Sequence, residues 1–199
     1  MRRACAILAG LLLASPATAG ILIEGRLEGV PLRLELAGPG EPGEGLVRAT
    51  VAGEPLLLDL ARGTIEPARG SRTRTAAGGP EVGLVQLTPL GGGAMFAGHV
   101  GAWQLLTEDG RICGEVLVSA WMLRFLEPAV RAVELLEAHD PRLEPRARHG
   151  CSPLGFRHWT GRGWPLLAGG RSEAVFVTER IRFDHPFPWP SGPDGVVPR

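Results

Sequence analysis

VGAWQLLTEDGRICGEVLVSAW, residues 100–121, holds two runs of alternating apolar and polar residues around Asp109-Gly110. Successive side chains of a strand point to opposite faces, so this alternation marks two strands with one buried face each. Asp-Gly tolerates the positive φ angles of a two-residue turn, and the two runs therefore read as a β-hairpin. Directly afterwards the period lengthens from about two to about 3.6 in WMLRFLEPAVRAVELLEAHD, residues 121–140. This predicts helix near 121–139, interrupted so that Pro128 falls in the first turn of a new helix running to about His139, where the missing N–H costs nothing. Val130, Val133 and Leu136 form its apolar stripe, while Glu127, Arg131 and Glu134 face water.

Working back toward the N-terminus, ILIEGRLEG and VPLRLELAG alternate cleanly, with a turn around Gly29. Val47, Ala49 and Val51 alternate with Arg48 and Thr50, and Leu56, Leu58 and Leu60 continue the pattern beyond a tight turn at Gly53-Glu54. Asp59 projects from that apolar strand; a catalytic role is open to it, but a solvent-facing one is the commoner case. A polar loop with Arg69, Arg72 and Arg74 follows, then a strand at 82–90. Gly91-Gly92-Gly93 reads as a loop, since no Lys-Ser/Thr follows to make it a phosphate cradle. Toward the C-terminus, 141–171 reads as irregular, RSEAVFVTERIRFDHP as the closing strand, and 189–199 as a Pro/Gly-rich tail.

The expectation is a mainly β (α+β) single domain spanning 20–188. One principal helix cannot cover a sheet of about eight antiparallel strands. The sheet must curl into a half-barrel or leave a concave apolar face. Trp103, Leu105, Trp121, Val130, Val133 and Leu136 are the candidate lining of such a concavity.

The chain opens MRRACAILAGLLLASPATAG, in which two arginines, a short apolar run and Ala17-Thr18-Ala19 have the order of a secretory signal peptide over 1–19. The apolar run is shorter than the about 20 residues that cross a bilayer, so stable membrane insertion is not expected. The location expected is periplasmic or secreted.

Lys, Asn and Tyr are absent, and all 21 basic residues are Arg. That excludes Schiff-base and phosphate-loop lysines. Removing Arg2 and Arg3 leaves 19 Arg against 21 Asp and Glu, a formal charge of −2. Such a balance gives no electrostatic footprint for nucleic acid.

Export would also remove Cys5 and leave Cys113 and Cys151, an even pair in an oxidising compartment. A disulfide is the first reading. A metal site from Cys113, Cys151, His149 and His158 lacks CxxC or HxxxH spacing, and a Cys-His nucleophile pair rests only on closeness in sequence. No GxSxG, HExxH or paired CxxC motif is present, so no catalytic residue, metal ligand or cofactor is assigned.

The element order carries one resemblance. Hairpin strands, the DLARGTIEP segment, GAWQLLTEDGRICGEVLVSAW, an amphipathic helix and EAVFVTERIRFD follow one another over about residues 20–185. This order is similar to that of periplasmic lipoprotein-carrier-like proteins and of small exported half-barrel proteins. The resemblance implies a curved antiparallel sheet around helices. The function expected is a non-enzymatic one: binding an apolar ligand, a lipid or a lipidated envelope protein in the concavity. A metal- or Cys/His-dependent hydrolase of the envelope is the alternative, and it requires Cys151, His149 and His158 to converge.

Overall fold

The computed structural model describes residues 19–38, 43–67, 74–75, 83–161, 163–169 and 173–186. Residues 1–18 of the expected signal peptide, Arg69, Arg72 and the 189–199 tail lie outside the described residues. The strands are β1 (Ala19–Leu27), β2 (Val30–Leu36), β3 (Leu46–Val51), β4 (Glu54–Asp59), β5 (Thr64–Pro67), β6 (Arg74–Thr75), β7 (Val85–Phe96), β8 (His99–Glu108), β9 (Arg111–Ser119), β10 (Trp164–Gly169) and β11 (Ala174–Pro186). The helices are α1 (Leu123–Glu137) and α2 (Phe156–Thr160).

All strand pairs are antiparallel and belong to one sheet, ordered β6-β5-β4-β3-β2-β1-β11-β10-β9-β8-β7. Two meanders are thus joined in the middle by the first and last strands. The consequence is geometric. β6 and β7 are consecutive in the chain yet sit at opposite edges. Eleven flat strands would hold their edges about 48 Å apart. The ten residue steps from Thr75 to Val85 reach only about 35 Å. The sheet therefore has to curl, and it remains an open, curved sheet in which β6 and β7 do not pair.

The tight turns share one chemistry. Glu28-Gly29, Ala52-Gly53, Ala97-Gly98 and Asp109-Gly110 each place a non-glycine residue at φ between 48° and 53° ahead of a glycine. Two successive positive φ angles match the twist of hairpin strands. With no Asn in the chain, the glycine carries this requirement and the preceding position varies.

Three elements differ from the sequence expectation. β7 runs straight through Gly91 and Gly92, both at positive φ, where the register shifts between Pro89 and Gly93. The glycines form a bulge inside a strand, not a loop after one. The 141–171 stretch contains α2 and β10. Pro128 is the sixth residue of α1 and lies inside one continuous helix, not at the start of a second one.

Val130, Val133 and Leu136 are completely buried on α1, which packs over β2, β3 and β5. Leu34, Leu36, Val47, Ala49 and Leu58 belong to the same core. Full burial of each such aliphatic side chain stabilises by about 1.5–3 kcal/mol. Arg131 on the opposite flank donates from Nη2 to Leu60 O at 2.7 Å, tying the helix to the turn after β4. Among the described residues no helix is long and apolar enough to cross a membrane.

Candidate functional site

Two cysteines are bonded: Cys113 in β9 and Cys151 after α1 have an S–S separation of 2.10 Å and a Cα–Cα distance of 5.7 Å. Both are buried. The Glu108 carboxylate lies within 4.8 Å of their sulfur atoms, but sulfurs bonded to each other are not thiolate ligands. Glu108 instead accepts hydrogen bonds from the backbone N–H of Ser152 at 2.7 Å and of Gly83 at 3.2 Å. The Ser152 hydrogen bonds hold its carboxyl below the ordinary carboxylate range. Trp159 of α2 packs closely here. A Cβ on Gly114 would come within 3.1 Å of its ring and of Gly169 O, so a larger residue would crowd the strand at that point.

The disulfide leaves neither cysteine as a nucleophile. The small cavity beside it is lined by residues that include Glu28, Arg148, Ser152 and Trp159, with neither His149 nor His158 among them. His158 turns its Nδ1 to Gly155 O at 3.2 Å, and His149 is exposed in the turn before Cys151. Asp59 has a local task, its Oδ1 accepting the N–H groups of Ala61 and Arg62 at 3.0 Å each.

The candidate cavity residues separate into three places. Val130, Val133 and Leu136 fill the concave face under α1 with the protein's own side chains. Trp103 and Leu105 lie on the other side of the sheet. The neighbouring Gln104 faces the turn after α2, where a Cβ on Gly161 would stand 3.3 Å from its Oε1. Alternation then turns Trp103 and Leu105 outward. Trp103 is partly buried there, opposite Leu117.

Trp121 occupies the third place, between β9 and α1 at the open end of the helix-bearing face. Its ring centroid lies 6.1 Å from Phe125 on the first turn of α1 and 5.8 Å from Phe183 on β11. Phe125 and Phe183 are 6.0 Å apart, and His99 completes the group at 6.4 Å from Trp121. The Arg124 guanidinium sits 4.5 Å above the Phe125 ring, within cation–π range.

Trp121 remains 47% exposed, and the cross-strand pair Met95 and Val100 is 74% and 63% exposed. Val100 shares strand parity with Gln104, whereas its neighbour His99, which meets the aromatic group, has the opposite parity. α1 packs on the β2–β5 side and leaves these apolar groups uncovered. Phe125, Phe183, Met95 and Val100 were not among the sequence candidates. The four-residue spacing of Trp121 and Phe125 is the one local signal that could have added a partner.

A second polar cluster lies below the disulfide. Arg148 forms ion pairs with Glu28, through Nη2, and with Glu173, through Nη1 at 2.8 Å. Comparison with protein-family models, with curated proteins and with solved structures gives no match for this chain.

Proposed function

We propose that the protein is an exported, non-enzymatic binding module of the cell envelope. Its ligand is apolar, an acyl chain or a lipidated partner, and it is held at the open end of the curved sheet. Trp121, Phe125 and Phe183 form the site, with His99 at its edge. Arg124 offers a cation to a headgroup or carboxylate at the rim.

The observation that carries this reading is the aromatic cluster around Trp121, itself 47% exposed, beside a helix whose apolar stripe is buried. A Trp or Phe presents about 150–250 Å². Covering the exposed half of Trp121 alone removes on the order of 100 Å² from water, worth about 2–3 kcal/mol. The reading differs from an enclosed cavity: the space beneath α1 is filled by Val130, Val133 and Leu136, so the ligand lies at the end of the sheet. The arginine-led apolar N-terminal segment supports export, and the element order supports kinship with lipoprotein-carrier-like half-barrels.

The test is uptake of a medium-chain fatty acid, followed by the rise in melting temperature of the oxidised protein. Trp121→Ala should lower the affinity by at least about tenfold. His158→Ala should leave it unchanged. Equal uptake by the Trp121→Ala variant and the parent would refute the site.

A further inference from the structure

The segment before Cys151 is held unusually firmly for an irregular stretch. Arg148 and Cys151 form an isolated bridge across the His149-Gly150 turn. The disulfide fixes one side of it, and Arg111 donates from Nη1 to Gly150 O on the other. This clamp positions Arg146, Arg148 and His149 along an open cleft of about 290 Å³, which Ala147 and Glu173 complete.

Arg148 is bound unequally. Glu28, at 3% side-chain exposure, holds Nη2 from inside and also stands 3.9 Å from Arg146 Nε. Glu173, at 69% exposure, holds Nη1 from outside. Arg148 Nε is buried with no partner among the described residues. Burying a guanidinium is costly unless its donors are used, so a chain that needed only a packed loop would do better with an apolar side chain here. Glu28 is structural, because it has no route to solvent. Glu173 is replaceable, because its carboxylate is 69% exposed and water competes for that end of the pair, while Arg148 stays largely buried. Arg111, beside Gly150, is offset by Glu108, and the cleft itself is lined by two guanidiniums, Arg146 and Arg148, against the single carboxylate of Glu173.

We propose that this cleft binds a small oxyanion, a carboxylate or a phosphate, with Glu173 occupying the ligand's place on Arg148 Nη1 when the site is empty. A planar guanidinium matches two-oxygen groups of this kind. Arg146 supplies a second cation, and His149 a ring nitrogen. The site is separate from the aromatic cluster and does not depend on it.

Calorimetric titration of the oxidised mature protein tests the assignment. Inorganic phosphate and acetate are the two probes, at constant ionic strength with chloride as the control. Saturable binding of either probe is expected; phosphate alone would identify a phosphate ligand, and acetate alone a carboxylate. Glu173→Gln should tighten binding by up to about fivefold, since the resident competitor loses its charge. Arg146→Ala should weaken it by a similar factor. Both side chains are exposed, so neither change threatens folding. Three results overturn the proposal: no saturable heat with either probe, a response equal to that of chloride, or a Glu173→Gln protein that binds no more tightly than the parent.

Discussion

Glu137 should make the stability of this protein fall as pH rises through neutrality. It is the last residue of α1, and both of its carboxylate oxygens lie 2.9 Å from the Phe156 N–H that opens α2. Burial raises its pKa to about 8; the Phe156 N–H pulls the other way, and the nearby charges of Glu134 and Glu28 push it further up. Arg157 and Arg148 do not offset this, because they are engaged with Glu134 and Glu28. An acid whose folded pKa lies above its unfolded value binds its proton more tightly when folded. Its contribution is fully present below the ordinary pKa of 4.5, declines between there and about 8, and is gone above. At about 1.4 kcal/mol per pH unit, that gap corresponds to at most about 5 kcal/mol. Glu137→Gln removes the charge and keeps a carbonyl oxygen for the Phe156 N–H. Urea unfolding of parent and variant should be compared at pH 5, 7 and 9. The difference between the two proteins cancels the other titrating groups. The variant should gain on the parent by a few kcal/mol between pH 5 and pH 9. Parallel stability curves would mean that the Glu137 carboxylate is solvated, and the reasoning would fail.

Two further outcomes follow from the core. The unreduced protein should weigh about 2 Da less than the dithiol, and Cys113→Ser with Cys151→Ser should cost about 4 kcal/mol, the chain-entropy value for a loop closed across 38 residues; two freely alkylating thiols in natively purified protein would contradict this. Val133→Asp places a lone carboxylate where no side-chain surface reaches water, and should destabilise by about 3–5 kcal/mol or unfold the domain; a circular-dichroism melt matching the parent's would show that α1 does not pack on the sheet.

The parts of this fold that are legible in the sequence are those that depend on neighbours in the chain. The Asp109-Gly110 hairpin, the β1–β4 alternation and the α1 stripe each follow from local periodicity and turn chemistry. The disulfide follows from counting the cysteines left if the N-terminal segment is read as a signal peptide. β10 was invisible because Trp164, Pro165, Leu166 and Ala168 are all buried, which leaves a short apolar run without alternation. Three glycines hid the second half of β7 because a bulge and a loop use the same residue type. The site was harder to read. Alternation separates Trp103 and Leu105 from Gln104 without saying which set faces the helix. The partners of Trp121 and Arg148 come from far along the chain, Phe183 on β11 in one case and Glu28, 120 residues away, in the other.

The stretch from 138 to 161 has little regular structure, yet three unrelated contacts hold it. The disulfide joins it to β9, the Arg148–Glu28 pair to the β1–β2 turn, and the Glu137 carboxylate to the start of α2. Each contact links a different pair of elements, and α1 lies within the loop that the disulfide closes. Seating α1 therefore brings both ends of this stretch to their anchors. Phe156, set in place by Glu137, then packs 5.5 Å from Trp164 and 4.8 Å from Phe176, ring centroid to ring centroid. Those two rings belong to β10 and β11, which join the second meander to the first through β1. One helix can thus serve a sheet of this width, because the segment behind it covers the strands that the helix does not reach. The turn after α2 reaches Leu87 and Gln104, and the exposed aliphatic pair Met95 and Val100 lies farther along β7 and β8.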